Sequence, residues 1–160
     1  MNQFSLNSKN TVPTSVATSV GYSTELLHAT GRAQLSIAAV YHHLIHPIRL
    51  GQVCFAFCER NGAPRAYISY ALCTPKVASE LSRGREISNL QLNEWNEGTI
   101  CWVADVVAPY SDSLRALLFL ARTNAIFQRG AKSIRIKNGL IKNIDISTRI
   151  RDSSLKSPQF

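Results

Sequence analysis

The sequence predicts an α/β (α+β) fold in which helices flank a mixed β-sheet. Between residues 20 and 47, apolar positions recur at helical spacing. The segments QVCFAFCE and RAYISYAL flank an Asn-Gly turn signal, which predicts a β-hairpin. Further on, TICWVADVVAP, SDSLRALLFLARTNAIFQRG and KSIRIKNG predict a strand, a long amphipathic helix and a half-exposed strand. The predicted order is therefore helix, helix, hairpin, helix, strand, helix, strand.

Glycine and proline set the expected limits of the first helices. Gly31 should separate the first two helices, and Pro47 should end the second. In TPKVASELSRG, Thr74 is an N-cap candidate and Pro75 occupies the first helical position, so this stretch predicts a short helix.

The same signals bound the later elements. Pro109 should close the central strand. Ser111 or Asp112 should cap the long helix at its N-terminus, and Gly130 should stop it. The chain from about Ile141 onward is short and basic, and its pattern favours no particular structure.

At 160 residues the chain is about the size of one domain and can bury a real core. We expect a flexible, polar N-terminal lead at 1–19, a single domain at 20–140 and a basic C-terminal segment at 141–160. No apolar run approaches the roughly 20 residues that span a bilayer, and the N-terminus lacks the pattern of a secretory signal. We therefore expect a cytoplasmic protein whose four cysteines are reduced.

Positive charge is concentrated near the C-terminus. The formal net charge is +8, yet residues 1–114 carry eight Lys or Arg against eight Asp or Glu. Residues 115–160 carry ten against two. Such a basic region suits an acidic partner, either nucleic acid or an acidic protein, although a solvated helix face followed by a tail has the same composition.

Two common cofactor sites are disfavoured. His42, His43, His46, Cys54 and Cys58 lie close in sequence, but two cysteines four apart on a strand are about 13 Å apart, too far to share one zinc ion. We therefore expect no metal site. Neither of the two common glycine-rich phosphate motifs is present, which disfavours a nucleotide cradle of those types.

Asp105 is the most informative single residue, because it lies within the apolar run CWVADVVAP. Regular strand alternation would place it on one face with Cys101, Val103 and Val107. Its pKa should rise there unless a His or Arg lies close. The alternatives are an acid–base residue paired with a histidine, or a structural carboxylate that caps a loop or pairs with an arginine at the sheet end.

Three stretches carry a family resemblance. They are PRAYISYA at 64–71, EWNEGTICWVADVVAPYSD at 94–112 and, more loosely, HPIRLGQ at 46–52. Together they resemble the RTX toxin-activating lysine acyltransferases, with the most specific spacing in the segment acid-Trp-x-x-Gly followed by Trp-x-x-Asp-x-x-Ala-Pro-aromatic-x-Asp. The resemblance implies a GNAT-like fold and transfer of a fatty acyl group from acyl-acyl carrier protein to internal lysines of a protoxin. It also implies no bound cofactor and a homodimer.

The resemblance also implies an essential Asp and His. The Asp falls on Asp105, but the histidine position falls on Ala33. Our expected catalytic pair is therefore Asp105 with His28, five residues before that position. The alternatives are that one of His42, His43 and His46 serves, or that the chain is a diverged homologue that keeps only binding.

Two observations favour acyl carrier protein over coenzyme A as the acyl donor: the lack of a glycine-containing loop and the distribution of charge. CoA-dependent GNAT enzymes generally bind the pyrophosphate with a glycine-containing loop, whereas the junction here is APYSDSLRAL. An acidic carrier protein suits the basic C-terminal third better, and we expect donor or substrate binding by Trp102, Arg115, Lys132 and Arg135.

Two rivals remain. One is a CoA-dependent small-molecule acyltransferase. The other is a nucleic-acid-binding module, which is disfavoured because the basic stretch KSIRIKNGLIKNI lacks interleaved aromatic residues.

Overall fold

The computed structural model describes residues 15–32, 34, 36, 40–58, 60–137 and 140–145. The helices are α1 (Val16–Ala29), α2 (His46–Arg49), α3 (Pro75–Ser82), α4 (Ser113–Thr123) and α5 (Ala125–Gln128), with a π-helical turn at Tyr41–Ile45 directly before α2. The strands are β1 (Val53–Phe57), β2 (Pro64–Cys73), β3 (Ile100–Val107), β4 (Ala131–Lys137) and β5 (Leu140–Asp145). They form one five-stranded mixed sheet with helices, which confirms the predicted α/β fold.

The strands lie in the sheet in sequence order, and β3 and β4 are the parallel neighbours. Helices α4 and α5 connect these two strands. Their pairing is short: Cys101 lies opposite Ala131 and Trp102 opposite Lys132, and the register ends there. Beyond Trp102 the two strands separate, which opens a cleft inside the sheet.

The hairpin prediction is confirmed by the antiparallel pairing of β1 with β2. Its turn contains Gly62 with a φ of 68°, and the side chain of Asn61 accepts a hydrogen bond from Ala63 N at 3.2 Å. The short helix is confirmed as well, because Thr74 caps α3 by accepting a hydrogen bond from Val77 N at 3.3 Å.

Each face of the sheet carries its own core. On one face, α4 and α5 pack through Leu117, Leu120 and Phe127. On the other face, Leu26 and Leu27 of α1 pack with the α2 region. The neighbouring part of that second face packs around the buried Trp95 and Trp102 with α3.

Pro47 does not end the second helix as predicted. It lies in the first turn of α2, which continues to Arg49. A proline interrupts a helix when its missing N–H is needed by the preceding turn. Here the preceding turn is π-helical, Tyr41–Ile45, and the shift in hydrogen-bond spacing accommodates the proline.

The predicted long helix is also interrupted, at Asn124. This residue has an extended backbone (φ −84°, ψ 121°), ends α4 and begins α5. Its side chain accepts a hydrogen bond from Ile126 N at 3.0 Å, so Asn124 serves as the N-cap of α5. The prediction that Asp112 is the N-cap of the long helix is correct in position, although no side-chain capping bond is formed there. The chain then turns at Gly130, with a φ of 105°.

Two described elements extend beyond the predicted domain limits of 20 and 140. Helix α1 begins at Val16, within the predicted lead, and β5 runs to Asp145 and pairs with β4. Residues 1–14 and 146–160 lie outside the described part. None of the helices described is long and apolar enough to cross a membrane.

Candidate functional site

A β-bulge in β3 decides where Asp105 points. Asp105 lies opposite Ser69, but Val103 lies opposite Tyr70, so Ala104 is an extra residue in the ladder. Cys101 and Val103 face α4, whereas Val107 packs in the α1 cluster. The prediction that Asp105 and Val107 share a face with Cys101 and Val103 is therefore wrong, because one extra residue reverses the alternation.

Asp105 is held by donors from three parts of the chain. Arg32, after the end of α1, donates from both terminal nitrogens, at 3.0 Å to Oδ1 and 3.1 Å to Oδ2. The Tyr67 hydroxyl donates to Oδ2 at 3.1 Å, and the backbone N of Val106 donates to Oδ1 at 2.9 Å. The carboxylate thus pairs with an arginine, as in the structural alternative considered from the sequence, but this arginine follows α1 and does not come from the end of the sheet.

These four hydrogen bonds occupy the acceptor positions of the Asp105 carboxylate. A carboxylate has about four acceptor positions, two on each oxygen. Asp105 receives two donors on each of its oxygens. A histidine or substrate amine can therefore hydrogen-bond to Asp105 only if one donor moves away.

Arg32 is the donor with the most freedom to move. It follows Gly31, which has a φ of 73°, and its side chain is 44% exposed, against 20% for Asp105. The hydrogen bond to Asp105 raises the pKa of Arg32. Such a partly exposed ion pair contributes about 1 kcal/mol or less to stability, so displacing Arg32 costs little.

Tyr67 is a fixed proton donor. Its residue is 1% exposed, and burial together with the Asp105 carboxylate raises the pKa of its phenol well above the ordinary value. The phenol therefore keeps its proton at physiological pH, and it can donate a hydrogen bond but cannot act as a base.

A cleft of about 300 Å³ lies where β3 and β4 separate. Its walls include Trp102 and Ala104 of β3, Ile134 of β4, Arg85, and His43 from the π-helical turn. Ala104 directly precedes Asp105 in the chain, whereas the carboxylate and its donors Arg32 and Tyr67 are not among the residues that line the cleft. His43 is half-buried there, and π-helical turns are frequent at functional sites.

The structure does not bring His28 to Asp105. His28 is exposed in the last turn of α1, and it is absent from the donors that contact the carboxylate. Helical geometry places it about 100° from the buried Leu27 and 200° from the buried Leu26, so it faces away from the sheet. Its role as the base stays a prediction, and Ala33 lies outside the described residues.

The four predicted binding residues are dispersed. Trp102 is 2% exposed and lines the cleft. Arg115 is exposed on α4, and Lys132 is exposed at the start of β4. The backbone of Arg135 pairs with Lys142 of β5, while its side chain lies outside the described part.

The segment EWNEG, which carried part of the resemblance, has a structural role. Both carboxylate oxygens of Glu94 accept hydrogen bonds from Arg85, at 2.9 and 2.6 Å, and Trp95 is 1% exposed in the core. Gly98 donates to Leu72 O at 2.9 Å, and a Cβ at this position would overlap the backbone of Cys73. This spacing therefore fixes a tight crossing beneath the cleft.

Sequence reasoning missed Arg32 and Tyr67 as partners of Asp105. Tyr67 is part of the motif PRAYISYA, and alternation on β2 places it with Ser69, which lies opposite Asp105. That pairing could not be known before the register of the sheet. Arg32 is 73 residues away in sequence and shows no pattern of its own.

No group of three or more His, Cys, Asp or Glu side chains suited to a metal ion occurs in the part of the chain described. The buried cysteines are also poor nucleophiles. Burial raises the pKa of the Cys73 thiol to about 11 and that of Cys101 to about 12. Within the described site, the groups available for chemistry are thus the carboxylate, its donors and His43.

The mixed sheet whose parallel strands part beside a carboxylate is consistent with a GNAT-like fold. The chain belongs to the RTX toxin acyltransferase family (HlyC), whose model matches residues 12–148. The protein-lysine palmitoyltransferase CyaC of Bordetella bronchiseptica is 37% identical over 98 residues, which are 58% of this chain and 48% of that protein. CyaC of Bordetella parapertussis has the same identity and coverage.

A third relative is the RTX-II toxin-activating lysine-acyltransferase ApxIIC of Actinobacillus pleuropneumoniae. It is 36% identical over 53 residues, which are 33% of this chain and 32% of ApxIIC. The chain thus matches about half the length of the CyaC proteins and about a third of ApxIIC.

Proposed function

We propose that this protein transfers a fatty acyl group from acyl-acyl carrier protein to an internal lysine of a protoxin polypeptide. Family membership supports the reaction class. The observation that carries the proposal is the cleft between β3 and β4, whose lining includes Ala104, the residue before Asp105. An opening inside the sheet can admit a narrow arm bearing a thioester from one face and a lysine from the other.

In this proposal the cleft holds the thioester. Trp102 and Ile134 provide apolar walls from the two separating strands. The unpaired edges of β3 and β4 beyond Trp102 offer backbone hydrogen bonds to the amide groups of a carrier arm. The arm is thereby extended toward Asp105.

Asp105 receives the target lysine. A lysine ammonium and an arginine guanidinium both donate to carboxylates, so the ammonium can take the place of Arg32 on one oxygen. Arg32 is suited to this exchange because its side chain is 44% exposed and it is attached beyond the end of α1. The filled carboxylate is then the resting state of the site.

A base must remove a proton from the ammonium before the amine can attack. We assign this role to His43, because it lines the same cleft as Ala104, whereas His28 faces away from the sheet. The neutral amine attacks the thioester carbonyl carbon, and the carbonyl oxygen becomes an oxyanion. The carbonyl re-forms as the C–S bond breaks, and the protonated His43 gives its proton to the carrier thiolate. The second proton of the attacking nitrogen passes to solvent, and the lysine holds the acyl group as an amide.

The oxyanion needs hydrogen-bond donors while it exists. The released Arg32 guanidinium stays charged, and the Tyr67 phenol keeps its proton because its pKa is raised. These two groups are the side-chain donors to Asp105. They supply the stabilisation in this mechanism.

The test uses acyl carrier protein loaded with a radiolabelled fatty acyl group. Transfer of the label to an RTX protoxin fragment that contains lysine is measured. Asp105→Asn should lower the rate at least about 100-fold, because Asn cannot bind the ammonium as an ionic partner. His43→Ala should lower it by about 100-fold, while His28→Ala serves as the matched surface control. Full activity in Asp105→Asn would refute the proposal.

The base assignment has its own readout. If His28→Ala loses activity while His43→Ala keeps it, the originally predicted pair is correct and His43 is only a wall of the cleft. Ala33→His tests the family position directly: a rise in the transfer rate would indicate that the chain uses a substitute base less well than that position.

A second candidate is a diverged homologue that binds carrier or protoxin without catalysis. The complete hydrogen bonding of Asp105 favours it, since a filled carboxylate suits a structural role. This candidate predicts that wild-type protein binds a partner but gives no labelled protoxin under any condition, and that Asp105→Asn leaves the binding affinity unchanged.

A further inference from the structure

Ser69 has a buried hydroxyl that makes no hydrogen bond within the part of the chain described. The residue lies within β2 and is 0% exposed. A buried hydroxyl without a partner is costly, and nearly all buried polar side chains in proteins have one. The position of Ser69 in the sheet identifies the group that this hydroxyl can reach.

Ser69 lies beside the Asp105 carboxylate. The two residues are directly opposite in the antiparallel pairing of β2 with β3, next to the register shift in that ladder. Tyr67 and Ser69 are two residues apart on β2 and therefore face the same side of the sheet, where the Tyr67 hydroxyl donates to Asp105. Opposite residues in such a pair have Cβ atoms about 5 Å apart. Rotation about the Cα–Cβ bond of Ser69 can therefore bring its hydroxyl to a carboxylate oxygen.

In the structure this carboxylate has no acceptor position left for Ser69. Each oxygen of Asp105 accepts one hydrogen bond from Arg32. Oδ1 accepts a second from the Val106 amide, and Oδ2 a second from the Tyr67 hydroxyl. Release of Arg32 opens one position on each oxygen. A lysine ammonium that binds one oxygen leaves the position on the other oxygen open.

We propose that Ser69 is a positioning residue, which donates a hydrogen bond to Asp105 when Arg32 moves away. The inference rests on the proposed function in one respect, namely that a target lysine is what displaces Arg32. With Arg32 in place the Ser69 hydroxyl lacks a partner, and after release it gains a charged acceptor. This gain offsets part of the lost ion pair, so Ser69 favours the released state and keeps the carboxylate oriented while the lysine binds.

The first test is a double-mutant cycle on the free protein, in which the equilibrium constant for unfolding is measured with urea. Arg32→Ala removes the arginine donors from Asp105 without supplying another. In wild-type protein, Ser69→Ala should leave the unfolding constant unchanged or lower it, because the hydroxyl has no partner there. In the Arg32→Ala protein, Ser69→Ala should raise the unfolding constant about fivefold, because Asp105 loses its replacement donor.

Ser23→Ala is the matched control. Ser23 is also 0% exposed, and its hydroxyl also lacks a partner within the described part of the chain, but it lies on α1 in line with the core residue Leu27. Its removal should have the same effect with Arg32 present or absent. An equal effect of Ser69→Ala in the two backgrounds would overturn the proposal, since the hydroxyl would then make the same contacts, for example to a buried water molecule, whether or not Arg32 is there.

The second test is kinetic and uses a lysine-containing protoxin fragment with the acyl-loaded carrier protein. Ser69→Ala should raise KM for the fragment about fivefold and change kcat less than about twofold, because fewer molecules have Arg32 released. An unchanged KM in this variant would overturn the positioning role. Ser69→Cys keeps the side-chain size but donates weakly, so it should behave as Ser69→Ala does. Recovery of the wild-type KM by cysteine would assign the effect to packing and overturn the proposal.

The two tests separate Ser69 from the proposed function. If the urea cycle shows the expected coupling while wild-type protein transfers no acyl group, the proposed function fails and the donation from Ser69 to Asp105 stands. If wild-type protein transfers the acyl group while the cycle shows no coupling, the role of Ser69 fails and the proposed function stands.

Discussion

Two arginine–carboxylate pairs of the same geometry lie in different surroundings. Arg85 and Glu94 are nine residues apart, and Arg85 also donates to Glu80 at 2.7 Å and to the Asn89 carbonyl at 2.8 Å. Arg32 and Asp105 are 73 residues apart, and the arginine side chain is 44% exposed, against 24% for Arg85. Both arginines donate from both terminal nitrogens to their carboxylate.

The two arginines differ in how many hydrogen-bond acceptors would lose their donor if the arginine side chain moved. Arg85 cannot move without abandoning four acceptor atoms, so its pair fixes the loop that crosses beneath the cleft. Arg32 can move into solvent and leave Asp105 with Tyr67 and the Val106 amide. The same pairing therefore stabilises the fold in one place and remains exchangeable in the other.

The largest structural effect should come from Gly98→Ala, in the crossing that Glu94 supports. The added methyl would overlap the Cys73 backbone, which cannot move without disturbing β2. We expect loss of at least about 3 kcal/mol in the free energy of unfolding, measured by urea denaturation. Gly21→Ala is the control, because a Cβ there meets nothing within 4 Å and α1 should gain up to about 1 kcal/mol.

Replacing each arginine by glutamine should destabilise the fold to different extents. Arg85→Gln should lower the free energy of unfolding by about 2 kcal/mol, because several acceptors lose a charged donor. Arg32→Gln should lower it by about 1 kcal/mol or less. If Arg32→Gln proved the more destabilising, the exchange that we propose at Asp105 would be untenable.

Arg32→Gln should instead alter catalysis. Binding of the target polypeptide should tighten, because the lysine no longer competes with a resident guanidinium, while kcat should fall about tenfold as an oxyanion donor is lost. Steady-state kinetics with varied protoxin concentration would separate these effects. Arg32→Lys should recover part of kcat, since it keeps the charge without the two-nitrogen geometry.

The smallest expected effect is on how the free energy of unfolding depends on pH. The hydrogen bonds from Arg85 lower the pKa of Glu94 below its usual value of about 4.3. Its contribution to stability is therefore fully present above that value and is lost as pH falls through the lower, folded-state pKa. Glu94→Gln should cost about 1 kcal/mol at pH 7, and the difference from wild type should shrink below about pH 4.

Local patterns predicted the elements that depend on neighbouring residues. The Asn-Gly signal predicted the hairpin, Thr74 the start of α3, and β-branched density the central strand. The break at Asn124 was missed, because apolar helical spacing continues through this residue although it caps a new helix. The continuation through Pro47 was missed, because a π-helical turn before the proline cannot be recognised from the sequence pattern.

The site was less predictable, because it depends on register and on distant contacts. Asp105 was identified from its apolar surroundings and from the family spacing. The bulge at Ala104 could not be predicted from an alternating pattern, and the approach of Arg32 required the tertiary fold. His43 was one of several histidines in sequence and is distinguished by its place in the cleft.

The bulge at Ala104 makes β3 sensitive to length. Deletion of a single residue here would restore regular alternation and turn the carboxylate toward the apolar layer under α4, while Val107 would leave the opposite layer. Substitutions at Ala104 are therefore a mild change, whereas insertions or deletions beside it exchange the two sides of the sheet for every residue that follows. Homologues should accordingly vary in residue type at this position while keeping the count of residues between Trp102 and Pro109 constant.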